Sequence, residues 1–270
     1  MKIIDCFIFY NELDMLKYRI ELLSSIVDYF IIVESKYTFS GIEKELYYNN
    51  NKELFDNHKV IHIIEDNAPH IFPNINIEKN EQWINEYYHR NCIKKGIEQL
   101  KLKEEDIIII SDLDEIPDPE TLKKIKNNEI DVSINCLEQD MYYYNLNSKL
   151  MNKWYHSKIM RFKDLNEQNL TISQIRIGFY SIIFNGGWHL SYFGDKYYIQ
   201  NKIKNFAHQE YNNPEYNELD KIQEKINESK DIFNRKDNPI QRISINNNNY
   251  LPPEYKKYLY KFIDEAESQK

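Results

Sequence analysis

Residues 107–110 are four consecutive isoleucines. A helix spreads adjacent side chains around its axis, so no single helical face accounts for four β-branched neighbours. A strand covered on both faces does. The run therefore predicts a central strand with helices on either side of its sheet. Ile3–Phe9, Tyr29–Val33 and Val60–Ile64 are shorter apolar runs of the same kind, although Asp5 interrupts the first. Between them the period changes. Leu13, Leu16, Ile20 and Leu23 recur at helical spacing after Asn11, a candidate N-cap, with Asp14 in the first turn, where the helix dipole favours an anion. Residues 35–58 read as loop and short helix. Residues 80–100 predict one long amphipathic helix. Its apolar stripe is Ile84, Tyr88, Cys92, Ile93, Ile97 and Leu100, and Arg90 lies on the opposite face with Glu86 and Lys94. Strands alternating with helices imply βαβ units, and so an α/β fold with a Rossmann-type, mostly parallel sheet flanked by helices.

The texture changes near residue 131. Val132–Leu137, Met141–Leu146 and Trp154–Phe162 read as strands with few helices between them, a mixed or antiparallel extension in the second half. Residues 197–206 and 215–230 predict helices. Asn246–Asn249 reads as a loop, and Pro252-Pro253 opens a terminal helix to about residue 267 with Tyr255, Tyr258, Leu259 and Phe262 on one side. The expected organisation is a main domain over 1–245, with 246–270 packed on it.

Composition narrows the class. At 270 residues with 41% apolar content, 13 Phe and 22 Tyr, the chain can fill a core, so disorder is excluded. The formal charge of −8 argues against a duplex nucleic-acid partner, which needs a basic footprint. It leaves open a nucleotide bound through a metal, whose charge is local. Cys6, Cys92 and Cys136 have no zinc spacing and read as buried apolar residues in a reducing compartment. The apolar stretch to Tyr10 is too short for a signal sequence or a membrane span, so a cytoplasmic protein is expected. Lys94-Lys95 and Lys123-Lys124 read as solvated faces, with peripheral membrane contact as the alternative.

The string Ser111-Asp112-Leu113-Asp114-Glu115-Ile116-Pro117-Asp118-Pro119 follows the isoleucine strand. In open α/β sheets the ligand crevice lies at such strand ends. Three carboxylates in four residues repel one another unless a cation is shared. Asp112 and Asp114 alternate, so an extended segment points both to one side. Hard oxygen ligands of this kind suit Mg²⁺ or Mn²⁺ held together with substrate phosphates. Asp118 then caps a helix that Pro119 begins. A solvated acidic turn with a helix cap is the alternative.

This string, with Phe9-Tyr10-Asn11-Glu12-Leu13-Asp14-Met15-Leu16, Val27–Ser35 and Gly186-Gly187-Trp188-His189-Leu190-Ser191-Tyr192-Phe193, resembles glycosyltransferase family 17, whose members include the bisecting β-1,4-mannosyl-glycoprotein 4-β-N-acetylglucosaminyltransferases. The resemblance covers about residues 1–210. It implies a GT-A-like fold, a UDP-sugar donor with N-acetylglucosamine favoured, a Mn²⁺ or Mg²⁺ cofactor, and inversion at the anomeric carbon. The acceptor would be a glycan, glycolipid or glycoprotein. The animal members carry an N-terminal membrane anchor, which is not expected here.

On this reading Asp114 binds the metal, and Asp112 contacts the metal or the donor ribose. Asn11 and Glu12, at the end of the first strand, contact the donor, with helix capping the alternative for Asn11. Glu34 ends the second strand on the same rim and is a donor contact or a surface carboxylate. Arg90, one of six arginines beside 29 lysines, suits bidentate phosphate contact, or pairs with Glu86 at the surface. The glycines before Trp188 allow close approach to a ligand. Trp188 stacks on the donor or sits in the core, and His189 is a further metal ligand or a diphosphate contact, with a satisfied structural histidine the alternative. His208 is a weaker candidate. An inverting transferase needs a base to deprotonate the acceptor hydroxyl. Asp195 and Asp140 are the candidates, with Glu115 a third that could instead hold the loop. A nucleotidyltransferase and a non-catalytic nucleotide- or sugar-binding module are the competing functions. The tyrosines disperse along the chain, leaving Tyr142-Tyr143-Tyr144 and Tyr192 near the proposed site.

Overall fold

The computed structural model describes residues 1–56 and 58–264. The chain runs β1 (Ile3–Phe9), α1 (Leu13–Leu23), β2 (Tyr29–Ser35), β3 (Val60–Glu65), α2 (Glu81–Asn91), α3 (Ile93–Ile97), β4 (Ile107–Asp112), β5 (Glu115–Pro117) and α4 (Pro119–Lys126). The second half continues with β6 (Asn135–Tyr143), β7 (Ser148–Trp154), β8 (Lys158–Arg161), α5 (Phe162–Glu167), α6 (Ile172–Ile177), β9 (Ser181–Ser191), α7 (Lys196–Asn205), α8 (Pro214–Asn217), α9 (Leu219–Glu228), β10 (Ile240–Arg242) and α10 (Tyr255–Tyr258).

The strands form one large central sheet in the order β10-β7-β6-β8-β4-β1-β2-β3, with β9 joined to β6 and β5. Strands β4, β1, β2 and β3 are parallel. Beyond β4 the sheet is mixed: β8 runs antiparallel to β4 and β6, whereas β9 runs parallel to β6. The isoleucine run behaves as its composition requires. Ile107 and Ile109 enter one apolar cluster with Ile3, Phe7, Phe30 and α1. Ile108 and Ile110 enter a second cluster on the other face with Ile4, Cys6, Ile31 and α3. Side chains alternate along a strand, so four β-branched neighbours fill both faces at once. All three cysteines are buried and free.

Several boundaries depart from expectation. The 80–100 helix breaks at Cys92, and the buried face of α2 is polar, formed by Gln82, Asn85, His89 and Arg90, while Ile84 is exposed. Tyr88, Cys92, Ile93, Ile97 and Leu100 of the expected stripe do pack in the second apolar cluster, whereas apolar periodicity misplaces Ile84 and Arg90 because polar side chains are needed inside. Asn85 bonds the carbonyls of Phe39 and His70, and His89 bonds that of Val33. Strand β6 is a single nine-residue element where two strands were expected. The 215–230 helix splits into α8 and α9. The terminal helix is a four-residue α-turn followed by a 3₁₀ turn at Tyr260–Phe262, and residues beyond 264 lie outside the described part. Tyr255, Tyr258, Leu259 and Phe262 pack against the first apolar cluster nonetheless. Among the described residues no helix is long and apolar enough to cross a membrane.

Candidate active site

The chain lays β2 and β3 to one side of β1, then returns to place β4 on the other. That reversal opens a crevice beyond the carboxyl ends of β1 and β4, where ligands bind in open α/β sheets. A cleft of about 630 Å³ occupies it, lined by Tyr10, Glu12, Asp112, Asp114, His189 and Lys202 among others. Asp112 ends β4, and Leu113-Asp114 turn the chain into β5. A turn, rather than an extended segment, thus brings both carboxylates to the cleft.

Each carboxylate has its own cations. Asp112 accepts from Arg90 Nη2 at 3.2 Å and from Arg176 Nη2 at 2.6 Å. Asp114 accepts from Lys202 Nζ at 3.0 Å, and its other oxygen faces His189 Nε2 at 3.5 Å. Burial raises the Asp114 carboxyl, but Lys202 and His189 outweigh it and hold the group below the usual carboxylate range. Asp112 is likewise lowered: burial opposes, and Arg176 and Arg90 prevail. Burial lowers Lys202, and Asp114 more than reverses it. Glu115 is fully buried and holds the turn, accepting from both terminal nitrogens of Arg176, from Trp154 Nε1 and from the Asp112 amide.

Behind the turn lies Arg19, also fully buried. Its guanidinium pairs with Asp5 at 2.6 and 2.8 Å, donates to Ser111 Oγ, and reaches the carbonyls of Asp112, Leu113 and Glu115 at 2.7–3.0 Å. With the carbonyls gathered on one side, the two aspartate side chains serve the cleft. Sequence reasoning missed Arg19, Arg176 and Lys202. Arg19 did leave a signal: it sits in the apolar stripe between Leu16 and Leu23, and Asp5 sits in the apolar run of β1.

The other expected site residues separate into two groups. Glu12 lines the cleft, accepting from Tyr198 OH at 3.1 Å. Arg90 reaches Asp112, but it is buried, not on a solvated face. Tyr143 and Tyr192 also line the cleft, as does His208, which pairs with Glu210 and packs edge-on against Trp83. Asn11 does not cap α1, whose N-cap position is Glu12; the Asn11 Oδ1 is buried without a partner. Glu34 is buried beneath the following loop, accepting from the amides of Tyr48 and Asn49 and from His62. It is neither a surface carboxylate nor part of the cleft lining.

Trp188 lies in the core at 1% exposure, donates to the Tyr250 carbonyl and packs on the Tyr250 ring. Strand alternation sends it to the face opposite His189. The glycines before it admit backbone, not ligand: a Cβ on Gly187, at φ +134°, would lie 2.0 Å from the Ile116 carbonyl. Asp140 is buried between Lys149 and Lys153, both of which bond it. Asp195 is exposed, caps α7 by accepting from the Tyr198 amide, and lies outside this cleft.

The donor set for a divalent cation is partial. Asp114 and His189 converge, whereas Asp112 is turned to two arginines, and among the described residues no three His, Cys, Asp or Glu side chains come together. That arrangement fits a cation completed by phosphate oxygens and water, since Mg²⁺-type sites take only one or two carboxylates from protein. The buried Nδ1 of His189 has no hydrogen-bond partner, so the ring is oriented by Trp154 packing and by the Asp114 carboxylate facing its Nε2.

The pattern named "Glycosyltransferase family 17" matches residues 1–238. The chain belongs to glycosyltransferase family 17. Human and rat β-1,4-mannosyl-glycoprotein 4-β-N-acetylglucosaminyltransferase are each 31% identical to this family 17 chain over 113 residues, and the mouse protein is 30% identical. The aligned part covers 40% of this chain and 20% of each relative. Mouse xyloside xylosyltransferase 1, in its apo form, superposes on 65% of this chain and 71% of its own, with 11% identity and a TM-score of 0.32, too slight to bear on fold or function.

Proposed function

We propose that this family 17 protein is a GT-A-type glycosyltransferase that moves a sugar, N-acetylglucosamine favoured, from a UDP-sugar to a hydroxyl of a glycan, glycolipid or glycoprotein, with a divalent cation and with inversion. The observation that carries the reading is the acidic turn. It presents Asp112 and Asp114 to a large cleft at the sheet's switch point, between cations supplied by α2, α6 and α7. Asp114 and His189 would hold the cation, which when bound supplies a Lewis acid that neutralises charge on the leaving diphosphate. Arg90 and Arg176 orient Asp112, and Glu115 and Arg19 keep the turn in shape.

Asp140 and Glu115 are consumed by cations and Asp195 lies elsewhere, so the base falls to another cleft group. His156 lines the cleft, packs its ring on Trp154 at 4.5 Å, and is anchored by its carbonyl, which accepts from Arg176 at 2.9 Å. Burial, then Arg176, lower its pKa and keep the imidazole neutral and able to accept a proton.

A thermal-shift screen of UDP-sugars with and without Mn²⁺ tests the reading, since a ligand of the native state raises its stability. Stabilisation by UDP-sugar with Mn²⁺, lost in Asp114→Ala along with transfer, is expected. No response to any nucleotide, or full transfer by Asp114→Ala or in excess chelator, refutes it.

A further inference from the structure

We propose that Lys202 is the resident counter-ion of Asp114 in the substrate-free enzyme, and that it passes to the donor diphosphate when a divalent cation takes Asp114. The proposal rests on the metal–diphosphate reading above. It starts from a difference between the two aspartates of the acidic turn. Asp112 is held by Arg90 and Arg176, whose side chains are 4% and 6% exposed and whose planar forks are tied to Glu86 and Glu115 as well. Those partners are fixed by their other bonds. Asp114 faces His189 through one oxygen, and its other oxygen is held by one lysine, 22% exposed, which stands over the Tyr192 ring at 5.2 Å and lines the cleft. A lysine ammonium is a compact charge on a four-carbon stem and can change partners without moving its helix.

The ammonium and a divalent cation cannot share Asp114 at full strength, because two positive charges a few ångströms apart repel. The cation alone must therefore displace Lys202 and leave it unpaired. A nucleoside diphosphate removes that penalty by offering phosphate oxygens as the new partner. Lys202 thus couples the two ligands: each is bound weakly alone, and both tightly together. Its neighbour on the same helix, Tyr198, bonds Glu12 at the end of β1, so α7 is tied to the rim across which the diphosphate would lie.

The test is Mn²⁺ binding, read by the electron spin resonance of the free ion, and UDP binding by calorimetry, on wild type, Lys202→Gln and Lys202→Arg. Without nucleotide, Lys202→Gln is expected to bind Mn²⁺ roughly fivefold more tightly than wild type, as loss of a partly exposed competing ion pair implies. In saturating Mn²⁺ it should bind UDP roughly tenfold more weakly, for want of a charge-assisted bond. Lys202→Arg should keep the wild-type pattern. Mn²⁺ affinity that is unchanged or weaker in nucleotide-free Lys202→Gln overturns the exchange, as does unchanged UDP affinity. Wild type that binds neither Mn²⁺ nor UDP overturns the metal–diphosphate reading itself, and the exchange with it.

Discussion

Replacing Arg19 by methionine tests how the acidic turn is held. The guanidinium serves six acceptors, two on Asp5, one on Ser111 and three main-chain carbonyls of residues 112, 113 and 115. Asp5 is as deeply buried as Arg19, so the variant leaves an uncompensated charge, a loss of about 3–5 kcal/mol. Each carbonyl left without a donor adds about 1–3 kcal/mol if it finds no replacement. The turn can relax toward the cleft and recover part of that, so the expected net loss is about 4–6 kcal/mol. That is a large share of the about 5–15 kcal/mol that stabilises a domain. Urea unfolding followed by circular dichroism measures it, and a loss below about 1 kcal/mol refutes the reasoning. The double variant Asp5→Leu/Arg19→Met separates stability from positioning. It removes both charges, which is often near neutral for a buried pair, yet it leaves the three carbonyls unheld. We expect it to fold and to bind UDP with Mn²⁺ at least about tenfold more weakly, because the carboxylates lose their placement. Wild-type affinity in a folded double variant would show that Arg19 does not position the turn.

Further outcomes follow from other parts of the molecule. Burial, then Lys44, keep the His89 imidazole neutral down to about 3. Unfolded histidine protonates near 6.5, so between these values the unfolded chain binds the extra proton. Stability should fall on acidification through that window, by up to about 1.4 kcal/mol per pH unit, and be flat in this contribution above it; urea midpoints of His89→Gln should show a shallower slope. Trp188→Ala should lose about 3–5 kcal/mol as a core truncation, while Trp188→Phe, though less stable, should bind UDP like wild type; a selective loss of UDP affinity would return Trp188 to the donor site. His156→Gln should lower kcat by about a hundredfold or more with UDP–Mn²⁺ affinity unchanged, and wild-type turnover would eliminate it as the base. Asp195→Asn, in which asparagine caps as well as aspartate, should keep wild-type turnover and melting temperature; lost turnover in a folded protein would restore Asp195 to the reaction.

What the sequence determined by itself is whatever depends on local period and local chemistry. Four adjacent isoleucines required a strand buried on both faces. Asp118-Pro119 required a helix start, and Asp118 does accept from the Glu120 amide there. The acidic string after a central strand marked the rim of the sheet, and that rim lines the cleft. Tertiary structure decided which charges meet. Arg90, Arg176 and Lys202 are far apart in the chain, and only the return of β4 beside β1 and the packing of α6 and α7 bring them to Asp112 and Asp114. It also decided which of two alternating neighbours faces the cleft, sending His189 inward and Trp188 to the core. Periodicity missed the buried polar residues of α2, Gln82, Asn85, His89 and Arg90, because apolar spacing reports burial against apolar partners only. A carboxylate's role depends on the cations around it in space, and those are set by crossover connections that no local pattern records.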